Sequence, residues 1–403
     1  MWEQIRSNRM RSAVLVAGMG VLLLLLGYVL GMFFFDNSIA GMVVALVIWA
    51  IMNLVAYAQG DSILLGVAGA HKITRDDHPR LYNIVEEMKI ASGLERMPDV
   101  YIIDDPALNA FATGRSAEKA SVAVTSGLLQ RLNRDELQGV IAHEISHIKN
   151  RDVLLMSLAG VILGTVVIIS WYASRMMFFS GMARGGKRSS DSGGGGGQVI
   201  ILAIGLVLMI LAPIAAHLLY YAISRRREYL ADASGALYTR YPEGLASALE
   251  KIAGSTVQLK AANQATAPMY TINPFRSGGR AAADLTSTHP PTSERIRILR
   301  AMAGGGMADY EQAYRQVRGK GSIIPASALA EAGAVAMRAA SPETKPVEET
   351  SERIERYRET SDLMWRKSNY RDVTCDCGTI LRVPPTYRQT QVRCPHCGRI
   401  NRV

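Results

Sequence analysis

Cysteine is scarce in this chain. There are four in 403 residues, all within the last 30. That number and placement exclude a disulfide scaffold. Charge is scarce as well: Asp, Glu, Lys and Arg make up 20% of the sequence against 49% apolar residues. Mean hydropathy is slightly positive, which argues against an ordinary soluble enzyme of this length. The same proportions exclude a disordered chain, and no Gly-X-Y period points to a collagen-like one. Five glycines, Gly193 to Gly197, follow Ser189–Ser190–Asp191–Ser192. No Gly-Lys-Ser/Thr pattern accompanies them, so they read as a flexible linker rather than a phosphate cradle.

What is present is hydrophobicity in blocks. Ala13–Phe35, Ile39–Ala58, Val153–Ser174 and Val199–Ser224 each lack Asp, Glu, Lys and Arg. Each reaches the ~18–20 residues that span a hydrocarbon core at ~1.5 Å rise per residue. They read as four membrane helices in two hairpins. A cleaved signal sequence is the rival for the first run, but that run is too long and a second follows at once. Arg6, Arg9 and Arg11 precede it, and Asp36–Asn37–Ser38 carries no Lys or Arg. The positive-inside rule then places the N-terminus and residues 59–152 in the cytoplasm. Arg225, Arg226 and Arg227 mark a further cytoplasmic end. The 174–198 loop, with Arg175, Arg184, Lys187 and Arg188 against Asp191, resists this scheme. Either the second hairpin is partly re-entrant or packing overrides the charge rule.

Between the hairpins lies a soluble region. Thr74–Arg75–Asp76–Asp77 reads as a helix start, Leu81, Ile84, Val85, Met88 and Ala91 as its apolar face, and Gly93 as its stop. Val100–Ile103 and Ser121–Thr125 read as short strands. A second helix begins near Asn133, with Glu136 in the capping-box position. It carries His143–Glu144–Ile145–Ser146–His147. Residues four apart share a helix face, so the two imidazoles can converge on one zinc ion. Glu144, beside the first ligand, is placed to take a proton from a water on that metal.

A catalytic zinc with an open position needs a third protein ligand. The candidate is Glu228, 81 positions after His147. The intervening hairpin returns the chain to the side it left. Asp232, one helical turn later, can accept a hydrogen bond from a ligand histidine. The competing reading is a surface Glu/Asp pair facing Arg225 to Arg227.

These elements, together with Asn109–Ala110–Phe111–Ala112–Thr113–Gly114 and Thr288–His289–Pro290–Pro291 followed by Arg295, resemble the HtpX family of bacterial membrane metallopeptidases, relatives of the Ste24 CAAX proteases. The resemblance covers roughly residues 1–300. It implies a zincin-like catalytic domain embedded in membrane helices of the bacterial inner membrane. It also implies cleavage of misfolded membrane proteins on the cytoplasmic side. By the same resemblance, Asn109, Ala110, Phe111, Ala112 and Thr113 form the edge on which substrate lies extended, a place where strand addition works. A buried polar turn is the alternative there. His289 would donate to the oxyanion of the attacked carbonyl, or else only shape a loop. Arg295 reads as structural.

His217 interrupts the fourth apolar run, and an ionisable residue there is a functional suspect. Its spacing from Glu228 lets the two share a helix face. An interhelical hydrogen bond is the favoured reading.

Past residue 300 the texture changes. Ala326–Ala340 is Ala-rich and reads as helical, and Ser341–Thr360 as a charged linker turning helical near its end. The cysteines then fall as Cys375–Asp376–Cys377 and Cys394–Pro395–His396–Cys397, a glycine following each pair. Two such knuckles read as a structural zinc site in a zinc ribbon, with Leu381–Val383 and Gln391–Arg393 as strands. Disulfides are the alternative. Residues 365–403 hold eight Lys/Arg against two Asp. That +6 suits anionic headgroups or a polypeptide substrate, and nucleic acid less well.

The reading is a mainly α, multi-span membrane protein with a zincin-like α+β catalytic domain and a small C-terminal zinc ribbon. Its segments are 1–58 (membrane hairpin), 59–152 (first catalytic part), 153–224 (second hairpin), 225–325 (second catalytic part), 326–364 (linker) and 365–403 (ribbon). It would be a zinc endopeptidase with one catalytic and one structural zinc, acting on polypeptides at a lipid bilayer. The rival is a non-catalytic, membrane-anchored binding protein that recruits partners through the ribbon.

Overall fold

A computed structural model of the chain describes residues 2–34, 36–153, 225–260, 289–319, 321–324, 326–330, 335–341 and 350–403, with positions 170, 171, 175, 214, 270 and 271. The second hairpin beyond Val153, its glycine run and His217 lie outside the described residues.

The chain opens with two long helices, α1 (Trp2–Phe34) and α2 (Ser38–Val67), packed as a hairpin. Asn37 turns the chain and caps α2, its side-chain oxygen accepting from the Ile39 and Ala40 amides. Among the described residues, Ser38–Val55 is the stretch long and apolar enough to cross a bilayer. Val43, Val44, Val47, Ile51 and Leu54 of that stretch are exposed. An apolar surface of this kind is solvated by lipid or covered by another protein surface.

The catalytic region is a four-stranded sheet with helices on it. In chain order its first elements are β1 (Ala70–Lys72), α3 (Pro79–Ser92), β2 (Asp99–Ile103), β3 (Ala110–Ser116), β4 (Lys119–Thr125), α4 (Ser126–Arg131) and α5 (Arg134–Lys149). The spatial strand order is β1-β2-β4-β3. β2 and β4 run parallel, while β1 and β3 are antiparallel to their neighbours. Val100, Ile102, Val122 and Val124 fill the centre, where β-branched side chains suit a pleated, buried surface. The segment 109–114, left between two strands by the sequence, is thus mostly the edge strand itself.

The start of α3 differs from expectation by one turn. His78 caps it, with Pro79 in the first turn. Pro disfavours helical backbone at the residue before it and is favoured at the first helical position. Asp77 instead closes a local turn onto the Thr74 amide at 2.9 Å. Gly93 stops the helix in the left-handed region at φ 65. Leu81, Ile84, Val85 and Met88 are buried as expected, but Ala91 is exposed and Ser92 takes the inward position.

α5 begins as read: the Asn133 side chain accepts from the Glu136 amide, and Glu136 reaches back to the Asn133 amide. It is covered by the sheet, by α3 and by the helix Pro242–Gly254. Gly139 permits the last contact. A Cβ there would lie 2.6 Å from the Leu245 amide nitrogen, so any larger residue would push the two helices apart. Helix 225–239 and helices Thr292–Arg300 and Met307–Arg318 complete the region.

Ala326–Ala340 is helical only over Ala326–Ala330 among its described residues. Residues 335–341 run without helix across the start of α5. The buried carboxylate of Asp135 accepts from the Arg338 guanidinium at 2.6 Å and from the Ser341 amide at 2.8 Å. The Arg338 amide donates to the Arg240 carbonyl at 2.9 Å. These tertiary bonds override the intrinsic helix preference of alanine.

The next helix, Thr350–Lys367, docks on α4. Leu363 and Met364 join the main core. His78 faces it: Nδ1 accepts from the Leu81 amide, which leaves the ring proton on Nε2, 3.3 Å from Thr360 Oγ1. His78 is therefore neutral, and its closeness to Glu359 is not an ion pair. Burial, with the Arg80 charge nearby, lowers its pKa to about 4.

The last residues form two small hairpins, Arg371–Thr374 with Ile380–Val383 and Gln391–Arg393 with Ile400–Arg402. Their apolar centre is Cys375, Leu381 and Cys394, with Val373 and Val392 against it. Arg382 ties the first hairpin to the preceding helix, pairing with Asp362 and lying 4.5 Å over the Trp365 ring.

Candidate metal centre and active site

Helix geometry sets the first two donors. His143 and His147 stand one turn apart on α5, ring planes at 87° and Nε2 atoms 3.3 Å apart. Helix 225–239 brings Glu228 against them. Glu228 Oε2 lies 3.5 Å from His143 Nε2, and Oε1 lies 3.6 Å from His147 Nε2. A tetrahedral zinc with bonds of ~2.0–2.1 Å implies donor separations of about 3.3 Å. The three donors match that spacing closely, and Glu228 Oε2 is buried without a hydrogen-bond partner. The carboxylate faces His143 through Oε2 and His147 through Oε1, with Arg295 Nη1 3.6 Å from Oε2, and a divalent cation between the three donors satisfies this chemistry.

The outward nitrogens of both imidazoles are held by carboxylates. His143 Nδ1 lies 3.0 Å from Asp232 Oδ1, and His147 Nδ1 lies 3.2 Å from Asp152 Oδ2. This fixes Nδ1 as the protonated atom and turns the Nε2 lone pairs inward. Asp232 behaves as read from the sequence. Asp152 was missed, although it follows Asn150–Arg151 just after α5. Arg151 has φ 59, and this turn folds Asp152 back to the helix end.

Arg295 is more than a distant structural residue. It is fully buried and grips Asp232 with both arms, Nε to Oδ2 at 2.8 Å and Nη2 to Oδ1 at 2.7 Å. Its Nη1 donates to the Thr271 carbonyl at 3.1 Å. The charge lets Asp232 stay ionised without water: burial would raise its carboxyl, but Arg295 outweighs this and lowers it. At His143, burial would lower the pKa, yet the nearby carboxylates of Asp232 and Glu228 hold it up at about 9. Burial likewise opposes ionisation of Glu228, which His289, His143 and His147 reverse to well below the usual range. The pocket thus favours positive charge at the point where the three donors meet.

His289 enters from the loop before helix Thr292–Arg300, its Nε2 3.7 Å from Glu228 Oε2. Burial pulls its pKa down to about 4, so it stands neutral at pH 7. Glu144 is buried and meets Thr271, whose Oγ1 donates to Glu144 Oε1 at 2.7 Å. Thr271 had no local signal in the sequence.

β3 lies at the sheet edge. Its Ala110 carbonyl accepts from the Thr271 amide at 2.9 Å, and Tyr270 forms a bridge to Phe111 with the rings edge to face at 5.2 Å. Within an antiparallel strand the outward-facing residues alternate. Ala112 is therefore the next position whose backbone turns outward, on the side where Tyr270 pairs. Asn109 and Thr113 are buried, with the Asn109 amide donating to Thr125 Oγ1 at 3.0 Å.

The four cysteines converge separately. Cys375 Sγ lies 3.5 Å from Cys397 Sγ, and Cys377 Sγ lies 3.7 Å from Cys394 Sγ. No disulfide joins them. Tetrahedral zinc with bonds of ~2.3 Å implies sulfur separations of about 3.8 Å. Gly378 and Gly398, at φ 84 and 77, make the turns that close each knuckle.

The sequence profile described as "Peptidase family M48" matches residues 76–303. A protein named "Protease HtpX homolog" from Dictyoglomus turgidum is 45% identical over 301 residues, which is 75% of this chain and 94% of that one. Its namesake from Thermoanaerobacter pseudethanolicus is 41% identical over 302 residues, 75% and 98% of the two chains. The crystal structure of S. mikatae Ste24p aligns at 19% identity over 74% of this chain and 67% of that one, with a TM-score of 0.39, too low to carry an argument. The cysteine module lies beyond the M48 match.

Proposed function

The chain belongs to peptidase family M48, as an HtpX-like membrane zinc metallopeptidase, and on that premise we propose how its residues hydrolyse a peptide bond. His143, His147 and Glu228 hold the metal. A zinc held there would supply Lewis acidity, polarising the scissile carbonyl and making the attacking water more acidic. Glu144 is the general base that removes the water's proton and returns it to the leaving amine. His289, neutral and donating through a ring N–H, stabilises the oxygen of the attacked carbonyl. The substrate lies extended along β3, the strand Ala110–Ser116 with Asn109 before it. No covalent enzyme intermediate is needed.

The observation that carries this reading is the convergence of His143, His147 and Glu228 on one point, each histidine backed by its own carboxylate. The substrates are unfolded or damaged membrane proteins cut on the cytoplasmic side. Support comes from the apolar hairpin next to the catalytic region and the arginines before it. The stretch 153–224 forms the second hairpin, and Cys375, Cys377, Cys394 and Cys397 hold a structural zinc.

The test is Glu144→Gln in detergent-purified full-length protein, assayed on an unfolded polypeptide. Hydrolysis should fall by ~10²–10⁴-fold with the zinc retained. Turnover equal to wild type would show that Glu144 is not the base.

A further inference from the structure

Glu144 is buried, and one of its oxygens is fixed by a residue that comes from far along the chain. Thr271 Oγ1 lies 2.7 Å from Glu144 Oε1 and 3.0 Å from the Ala110 carbonyl oxygen. The main chain of Thr271 is held on both sides independently of that hydroxyl. Its amide donates to Ala110 at 2.9 Å, and its carbonyl accepts from Arg295 at 3.1 Å. Thr271 is 2% exposed. The hydroxyl is thus mounted on a fixed backbone between the general base and the strand assigned to substrate.

We propose that Thr271 is the positioning residue of Glu144. Its hydroxyl pins Oε1 relative to β3, which leaves Oε2 to face the attacking water. The inference rests on the reading of Glu144 as general base. A hydroxyl has one proton and here meets two acceptors. While Glu144 is ionised, the proton points to Oε1, the shorter contact and the charged acceptor. When the water's O–H bond breaks and an O–H bond forms on Oε2, the carboxyl becomes a weaker acceptor. The Thr271 hydroxyl then turns to the Ala110 carbonyl, already within reach. No proton leaves Thr271, and no buried donor is stranded at any stage. Through the Thr271 amide, which donates to Ala110, the hydroxyl is tied to the strand, so the base and the scissile bond share one reference frame. Misplacing a catalytic group by about 1 Å costs on the order of 10²-fold.

The experiment compares Thr271→Val and Thr271→Ser with wild type and Glu144→Gln, all as full-length protein in detergent. It measures kcat, KM and zinc per chain on an unfolded polypeptide. Both Thr271 variants keep the amide and carbonyl contacts, and Ser also keeps the hydroxyl. We expect kcat of Thr271→Val to fall by about 10- to 100-fold, with KM and zinc content unchanged and Thr271→Ser close to wild type. A wild-type kcat in Thr271→Val, with Glu144→Gln inactive, overturns the positioning role and leaves the base assignment standing. An equal loss of activity in Val and Ser, in step with lost zinc, also overturns it by assigning Thr271 to the fold. An active Glu144→Gln removes the reading on which the proposal stands.

Discussion

The two metal-ligand clusters of this chain are built in opposite ways. At the first, donors from two helices 81 residues apart in sequence meet inside a large core. At the second, four cysteines within 23 residues meet around a centre of three buried side chains. The first has a fold that stands without its metal, because sheet, α3 and Pro242–Gly254 hold α5 in place. The second has too little apolar surface to offset its chain entropy, so a metal bound there would supply much of the folding free energy. The difference shows in the surroundings too. His143 and His147 each have a carboxylate behind them, and Arg295 balances the charge. Behind the cysteines there is mainly the turn backbone: the Cys375 amide donates to Thr379, and that of Gly378 to Cys375.

The contrast breaks most readily at the ribbon. Cys375→Ser with Cys394→Ser removes two sulfur ligands and should forfeit metal-linked folding energy on the order of 10 kcal/mol. The expected result is two zincs per chain reduced to one by elemental analysis, with proteolysis confined to residues 371–403. Metal lost from both sites would mean that the two are coupled. The same count should follow truncation after Tyr370. A cut at 361 is a poorer test, since it strips Leu363 and Met364 from the main core.

The next effect concerns affinity at the first site. Asp232→Asn keeps the shape but weakens the support of His143 and leaves Arg295 without its counter-charge. Zinc affinity there should drop by about 10- to 100-fold in a chelator competition, with the ribbon zinc untouched. An unchanged affinity would reduce Asp232 to a structural partner of Arg295.

A third effect lies away from both metal-ligand clusters, at the docking of the Thr350–Lys367 helix. His78 has a folded pKa lowered to about 4 against an ordinary 6.5. Between these values the unfolded chain binds more protons than the folded one. The contribution of His78 is therefore fully present above pH 6.5 and is lost as pH falls toward 4, by up to about 3 kcal/mol. His78→Asn retains a good helix cap and should flatten the decline in melting temperature between pH 7 and pH 5. A decline as steep as in wild type would assign the acid sensitivity to other groups.

The sequence carried the local part of both sites because local geometry follows from spacing. His143 and His147 had to share a face, Asn133 and Glu136 had to start their helix, and the cysteine pairs had to form knuckles. Asp232 was readable from its helical offset to Glu228. Asp152 and Thr271 were not. One depends on the turn at Arg151, whose positive φ no motif announces, and the other on a long return of chain to the edge of β3. Residues 335–340 were misread for a related reason: alanine favours helix, but Asp135, two hundred residues earlier, offers buried hydrogen bonds that Arg338 and Ser341 fill from a non-helical backbone.

By itself, then, the sequence determined the chemistry: which side chains could bind metal, which carboxylate could serve as base, and which stretches avoid water. The tertiary structure decided what stands behind each of them. Burial makes a carboxylate such as Asp232 depend on Arg295, and gives Glu144 Oε1 the Thr271 hydroxyl as its partner. Once water is excluded, every polar group must be answered by another part of the chain, and only folding brings those parts together.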